Sequence, residues 1–461
     1  MTENFIRNHR YKFFTVGAIG TFMATLDSSI LNVALPTIAG DLNCSINTVA
    51  WVVLSYTLTL VSLLLIFGAW TERRGYDFAY RFGYTFFLAG SLLCVLSWSV
   101  YSLIAGRIIQ AIGTSMFQAV GIGMVAEVFP EGERGKGIGL MVMMVSSGLM
   151  AGPPLGGLLL QFFPWQSIFV INLPIGLFGL ALTFLYFRLL PRRVSHRKVP
   201  LAPGIAISLA LFAGIFALSL VSDYGPTDIR VLLIAAVAIA ALLIFLRFES
   251  NPDRALIGLS LFKNPRFTVA LMAAILMFVA MASVMILLPF YLERVRGYEP
   301  GEVGMFLVIL PLLMFVLAPL AGRLSDKIGF RFLTSFGMAT LASGLLLLSG
   351  VGVQTGAGYL VLSIVVMGSG VAIFNTPNSS AMMGAVTPQQ RAITSGIVST
   401  ARNVGMSTGV ALGTALFAYW YTQSGDPVAD SLAFVASYRQ VMYVAVTVSV
   451  AGLLFCLGRR K

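Results

Sequence analysis

Residues 25–36 read TLDSSILNVALP, an apolar, helix-like stretch with one aspartate, Asp27, in its middle. A charged side chain near the centre of a membrane helix costs roughly 2.5–3.5 kcal/mol on insertion scales. Either the segment lies outside a membrane or its carboxylate has a task within one. The rest of the chain decides. Of its 461 residues, 58% are hydrophobic and 10% charged, with a mean hydropathy of +0.90. An ordinary soluble domain carries about 25% charged residues. Too few polar side chains remain to face water over a whole surface, so the chain reads as a polytopic membrane protein.

A spanning helix needs about 20 mostly apolar residues. That rule picks out fourteen segments, near 13–36, 48–70, 79–99, 102–126, 138–161, 165–188, 202–222, 228–248, 267–290, 303–322, 332–351, 357–380, 394–417 and 435–457. The connections are short, and no soluble domain is expected. The first run is too long for a removable signal peptide and lacks a small-residue cleavage site, so it is expected to stay as a helix. Cys44, Cys94 and Cys456 lie far apart, with no CxxC and no histidine at metal spacing. They read as small apolar residues, and His9 and His196 as members of basic flanks.

The net charge of +12 is a topology signal. With the N-terminus inside, 24 of the 30 Lys and Arg fall on the inner side; Arg230, Arg294, Arg296 and Arg439 are outside, and Arg107 and Arg402 lie within spans. This positive-inside pattern predicts cytoplasmic termini, with anionic lipid rather than nucleic acid beside the basic face. Of the 18 acids, Asp27 alone lies deep in a span. Glu127, Asp223 and Asp228 read as solvated span ends.

The chain also repeats itself. GAWTERRGYD (68–77) matches GRLSDKIGFR (322–331), with Gly68/Gly322 and Gly75/Gly329 both 254 apart. Further on, Gln118/Asn375, Arg134/Arg391, Gly152/Gly409 and Gly156/Gly413 are 257 apart. Parallel repeats imply two six-helix bundles, at 1–195 and 255–461, with two inserted helices at 196–254, an all-α membrane fold of fourteen helices with pseudo-two-fold symmetry.

Together with LDSSILNVALP and WQSIFVINLPIG (165–176), these features resemble the fourteen-helix drug:proton antiporter family of the major facilitator superfamily. The resemblance implies alternating-access export of amphipathic, cationic compounds, driven by a proton gradient with no cofactor; the short loops favour a bacterial inner membrane. An adaptor that continues export outward is left open. GLMAGPPLGG (148–157) fits the family's antiporter motif, through Gly148, Gly152, Pro153, Gly156 and Gly157. Gly148, Gly152 and Gly156 also form a small-residue stripe where a second helix can approach, and Pro153 favours a kink. The resemblance makes the repeated loops a cytoplasmic latch, built from Gly68, Glu72, Arg73, Gly75 and Arg134 and from Gly322, Asp326, Lys327, Gly329 and Arg331. Glu72 stands where the family has aspartate, and Asp77 where it is usually basic. Solvated loop charges are the plain alternative.

Arg107, Gln110, Thr114, Phe117, Gln118 and Gly121 recur on one helical face, and a polar face is not turned to lipid. Their counterparts Phe374, Asn375 and Asn378, with Phe278, Met281 and Met285 at helical spacing, are expected at a substrate cavity, or else in packing. Asp27 lies about 13 Å below the outer end of its helix and Arg107 about 8 Å, at 1.5 Å rise per residue. The two are expected to pair if their helices are neighbours, either as a proton-coupling site tuned by Arg107 or as a structural bond. No Ser/His/Asp constellation, HExxH or P-loop is present, which argues against an enzyme or an ATPase. Lipid, siderophore, amino-acid or metabolite export and a non-transporting sensor remain the alternatives.

Overall fold

In hydrocarbon every backbone N–H and C=O must be satisfied within the protein, so the long apolar runs become helices. The computed structural model describes residues 9–44, 46–187, 200–225, 227–251, 255–423 and 431–458. The first half holds α1 (Arg10–Asp41), α2 (Ile46–Arg74), α3 (Tyr76–Val95), α4 (Val100–Val128), α5 (Arg134–Phe162) and α6 (Ser167–Tyr186, broken at Ile171). Then come α7 (Leu201–Tyr224) and α8 (Ile229–Glu249). The second half holds α9 (Pro265–Phe290, continued by a π-turn), α10 (Pro300–Ile328), α11 (Phe330–Ser349), α12 (Ala357–Gly384), α13 (Arg391–Gln423) and α14 (Ser431–Leu457).

Each predicted span has its helix, and most helices overrun the span by several residues, because the helical ladder continues past the apolar stretch. Among the described residues, thirteen helices are long and apolar enough to cross a membrane. The expected fourteenth, α13, has the length, at 33 residues, but is more polar. Its first turns carry Thr394, Ser395, Ser399 and Thr400, all buried against protein rather than lipid. His196 and the basic run at 188–198 lie outside the described residues.

The repeated loop is a repeated corner. Gly75 between α2 and α3 has φ +86° and ψ 163°, and Gly329 between α10 and α11 has φ +86° and ψ 161°. Only glycine takes such angles without strain. The glycine stripe of α5 lies along α1. A Cβ on Gly148 would sit 2.8 Å from the Phe22 carbonyl, and one on Gly152 would sit 3.0 Å from the Ile30 nitrogen. Ser29 Oγ donates to the Leu149 carbonyl at 2.9 Å across this seam. Gly405 and Gly409 of α13 meet α9 in the same way, with Ser283 Oγ donating to the Gly409 carbonyl at 2.9 Å. Gly157, outside the stripe, has nothing within reach of a Cβ, and α5 continues as a helix through Pro153 and Pro154.

The chain divides into two compact units. One holds the chain through α1–α6 and on to Phe212, with Ala240–Leu259 and Val386–Thr400; the other holds Ala213–Ile239, Ser260–Ala385 and the chain from Ala401 on. This cuts differently from the repeat boundaries. Val386–Thr400 joins the first unit because Gly68 and Gly123 let its backbone come close: a Cβ on Gly68 would lie 3.2 Å from the Ala392 carbonyl. The inserted pair α7–α8 contributes to both units. In the first, buried Glu249 at the end of α8 accepts backbone N–H groups from Leu256, Ile257 and Gly258.

The contrast between Gly152 and Gly157 is testable. Gly152→Val is expected to destabilise the protein by about 1–3 kcal/mol by overpacking the α1 seam, lowering its unfolding temperature in detergent. Gly157→Val is expected to leave that temperature unchanged.

Candidate functional site

The α5 glycines hold α1 close, and the next turn of α1 presents Asp27. Its carboxylate is 2% exposed, inside the first unit, and five helices supply its surroundings. An ionised carboxylate out of water needs a counter-charge and several donors. It has both. Arg107 Nη1 of α4 lies 2.6 Å from Asp27 Oδ2. Gln110 Nε2, one turn further along α4, donates to Oδ1 at 2.8 Å, and Asn172 Nδ2 of α6 donates to the same oxygen at 2.7 Å.

The outer ring of the network is also polar. Gln110 Oε1 accepts from Arg107 Nη1 at 2.5 Å, and Gln110 Nε2 also donates to Ser91 Oγ of α3 at 3.0 Å. Tyr56 of α2 donates to Thr114 Oγ1 at 2.8 Å and lays its ring under the guanidinium, with Arg107 Cζ 4.0 Å from the centroid. Phe169 of α6 stands 5.8 Å from the same Cζ. Such rings stabilise a desolvated cation by roughly 2 kcal/mol. The result is a dry, neutral ion pair in a cage of amides and aromatic faces. The break in α6 positions Asn172. Pro174 has no N–H for the carbonyl four residues back, so the ladder is interrupted there and restarts at Asn172.

The predicted polar face of α4 therefore splits. Arg107, Gln110 and Thr114 join the network. Phe117 does not: it is enclosed by Tyr80, Tyr84 and Phe87, with the Tyr84 centroid at 4.7 Å, and packs rather than lining an opening. Gln118 is half-buried, and its carbonyl accepts from Ser399 Oγ at 2.7 Å. In the second unit, Phe278, Met281 and Phe374 are buried in one hydrophobic cluster, with Met285 packed on it. Asn378 is buried and donates to the Ala270 carbonyl at 2.9 Å, while Asn375 is half-buried. A groove of about 630 Å³ in the first unit is lined instead by Phe14, Ile19, Phe22, Met144, Pro174 and Phe178.

The internal repeat shows what the second half lacks. Gly90 backs onto Gln110 as Gly344 backs onto Met367, which fixes the register. An offset of 254 carries Asp27 to Met281 and Ser91 to Leu345. The later offset of 257 carries Arg107 to Ile364, Gln110 to Met367 and Thr114 to Val371. All five counterparts belong to the apolar cluster. The same scaffold carries a charge network once and a greasy core once.

A second polar group lies at the basic end of the first unit. The Glu72 carboxylate accepts the Ile393 backbone N–H in the first turn of α13, where the helix dipole favours an anion. Glu127 Oε2 lies 2.9 Å from Arg391 Nη1, and Arg134 Nη1 lies 3.1 Å from Glu131 Oε1. Glu127 is thus an ion-pair partner and not a solvated span end. Asp77 is occupied by Arg81 one turn on, at 2.5 Å. Arg73 is half-buried. In the second unit Arg331 donates to the Leu457 carbonyl at 3.2 Å, Gly322 is buried, Asp326 is half-buried and Lys327 is exposed. Asp228 of the inserted pair caps the Arg230 N–H at 2.8 Å, while the Asp223 side chain is outside the described residues.

The family model described as Major Facilitator Superfamily matches residues 17–410 and again 270–461. The chain belongs to the major facilitator superfamily. Among curated relatives, the riboflavin transporter RibZ of Clostridioides difficile is 34% identical over 438 residues, covering 95% of this chain and 94% of that protein. The methylenomycin A resistance protein of Streptomyces coelicolor is 31% identical, covering 86% and 83%. The multidrug export protein EmrB of Escherichia coli is 27% identical, covering 87% and 78%. Among solved structures, the human organic anion transporter MFSD10 aligns with a TM-score of 0.69 at 13% identity, over 97% of this chain and 99% of that one. A superfamily transporter of this kind moves small molecules across a membrane. Asn172, Tyr56 and Ser91 were missed from sequence, although Asn172 lies in WQSIFVINLPIG, where a lone amide beside a helix-breaking proline was the available signal.

The energetics of the pair can be measured by a double-mutant cycle. Arg107→Leu alone strands a buried charge and is expected to cost about 3–5 kcal/mol. Asp27→Leu combined with Arg107→Leu is expected to cost less than either single change. Chemical unfolding in detergent reads the difference.

Proposed function

We propose that this transporter exchanges protons for amphipathic organic compounds by alternating access, with Asp27 as the proton carrier. The observation that carries this reading is the buried Asp27 carboxylate, held by one guanidinium and two amides in the interior of the first unit. While Asp27 is ionised the cluster is neutral, and a cation nearby meets no excess positive charge. Once Asp27 takes a proton, the Arg107 guanidinium is uncompensated and repels a cation. A proton and a cationic substrate then favour opposite states of one site, which is the requirement for exchange. Intramembrane ionisable residues are functional by default. The expected cargo is a lipophilic cation exported from the cytoplasm, in line with relatives named for multidrug resistance and export. The gradient supplies the drive, with no cofactor.

The basic bias favours cytoplasmic termini, and a bacterial inner membrane is the proposed setting. The Glu72–Ile393 and Glu127–Arg391 contacts then lie at the cytoplasmic end and serve as the latch that breaks and remakes during the cycle, with Gly68, Gly75, Arg73 and Arg134 shaping it. A second cargo has specific support: the 34% identity to a riboflavin transporter favours a flat, neutral heteroaromatic compound.

The test is proton release from purified protein in detergent on adding tetraphenylphosphonium, ethidium or riboflavin, in wild type and in Asp27→Asn. Release evoked by the cations in wild type and lost in the variant is the expected result. Release that persists in Asp27→Asn would move the carrier elsewhere. Tight riboflavin binding without proton release, and no response to the cations, would favour the vitamin-type cargo.

A further inference from the structure

Besides the Arg107 Nε donor, the Asp27 network contains one acceptor atom that its resting arrangement does not use. Asn172 is fully buried, and its Nδ2 donates to Asp27 Oδ1, but its own Oδ1 has no hydrogen-bond partner. A buried acceptor left unpaired is unfavourable, and such an atom calls for an explanation. Gln110 is the instructive contrast. Its Oε1 accepts from Arg107, and its Nε2 serves both Asp27 and Ser91. Turning the Gln110 carboxamide over would break three hydrogen bonds. Turning that of Asn172 breaks one and brings an idle acceptor to face the carboxylate.

We propose that Asn172 reports the protonation state of Asp27 by a half-turn of its carboxamide: the N–H donates to the ionised carboxylate, and the C=O accepts from the protonated one. This rests on Asp27 being the proton carrier. The oxygens of Asp27 decide the geometry. Oδ2 is held by Arg107, so a proton taken up from water bonds to Oδ1, where two amide N–H groups converge. One of those donors must withdraw, and the freely turning one is Asn172. The step forms one O–H bond and breaks no covalent bond in the protein. The cluster gains one positive charge, and the Arg107 guanidinium is left against the rings of Tyr56 and Phe169. The groups facing Asp27 from each packed helix are Arg107, Gln110 and Thr114 of α4, Tyr56 of α2, Ser91 and Cys94 of α3, and Asn172 and Phe169 of α6; the α5 seam brings Gly148, Gly152 and the Leu149 carbonyl against the neighbouring turns of α1. None of the others combines a contact with Oδ1 and an unused acceptor.

The position of Asn172 gives the turn a consequence. It is the first residue after the break in α6, where the proline at 174 withholds a backbone donor. A change in its hydrogen bonding is therefore applied at the least tied turn of that helix. Asn172 is a positioning residue in this scheme, and it touches the proton carrier rather than the cargo.

Infrared difference spectroscopy, comparing the protonated and ionised protein reconstituted in lipid, tests this directly. Wild type is expected to show an Asp27 carboxyl band and a side-chain carboxamide band. Growth on 13C-labelled asparagine should shift the carboxamide band, which needs no variant to fold. Asn172→Leu, close to asparagine in size, should lose the carboxamide band and keep the carboxyl band, whereas Gln110→Leu should keep both. Proton-driven tetraphenylphosphonium transport in vesicles should fall about tenfold in Asn172→Leu, the worth of one hydrogen bond to a charged group, and Asn172→Gln should recover most of it. A carboxyl band with no label-sensitive carboxamide band would overturn the proposal, as would a carboxamide band that survives in Asn172→Leu. A spectrum that lacks the Asp27 carboxyl band, matching Asp27→Asn, would instead overturn the proton-carrier reading beneath it.

Discussion

One carboxylate withdrawn from water governs the interior of the first bundle. Its charge has to be answered within a few ångströms, and no single helix can do that. Asp27 of α1 is therefore met by Arg107 and Gln110 of α4 and Asn172 of α6, with Ser91 of α3 and Tyr56 of α2 behind them. Together these contacts tie α2, α3, α4 and α6 to α1. The glycines of α5 complete the arrangement from the other side by letting α1 approach to backbone distance. A buried pair of this kind adds little net stability compared with apolar packing. Its value lies in specificity of position.

The repeat separates geometry from chemistry. The positive-φ corners at Gly75 and Gly329 are duplicated, and Ser29 and Ser283, 254 apart, each donate to a carbonyl of the facing helix, at Leu149 and Gly409. The seams where glycine meets a first helix recur as well. What is not duplicated is charge. Positions equivalent to Asp27, Arg107 and Gln110 are Met281, Ile364 and Met367. Backbone approach constrains residue size, which both halves obey, whereas a charge network requires all its members at once and is lost as a set.

Spans were legible because twenty apolar residues in a row admit almost no other structure, and the corner glycines because no other residue takes their angles. Asp27 and Arg107 were legible for the opposite reason, as charges where charge is expensive. Neutral partners carried no such mark. Ser91 and Tyr56 look like any polar or aromatic residue in a membrane helix, and only three-dimensional convergence gives them meaning. Periodicity placed Phe117 with Gln110 and Thr114 but could not show that the α4 face passes from the network into the Tyr80–Tyr84–Phe87 cluster. Glu127 read as a helix end because its partner Arg391 lies 264 residues away, a separation that no local pattern spans.

The apolar counterpart of the Asp27 network has an evolutionary side. A substitution at Asp27, Arg107, Gln110 or Asn172 disturbs several hydrogen bonds together, so variation there is penalised as a block. At Met281, Leu345, Ile364, Met367 and Val371 a change alters only volume and shape, and hydrophobic swaps of similar size are well tolerated. One copy of the duplicated bundle is thus held fixed by its electrostatics while the other can drift. A lineage built on this plan can reshape the second bundle repeatedly and keep the charge network of the first as it was.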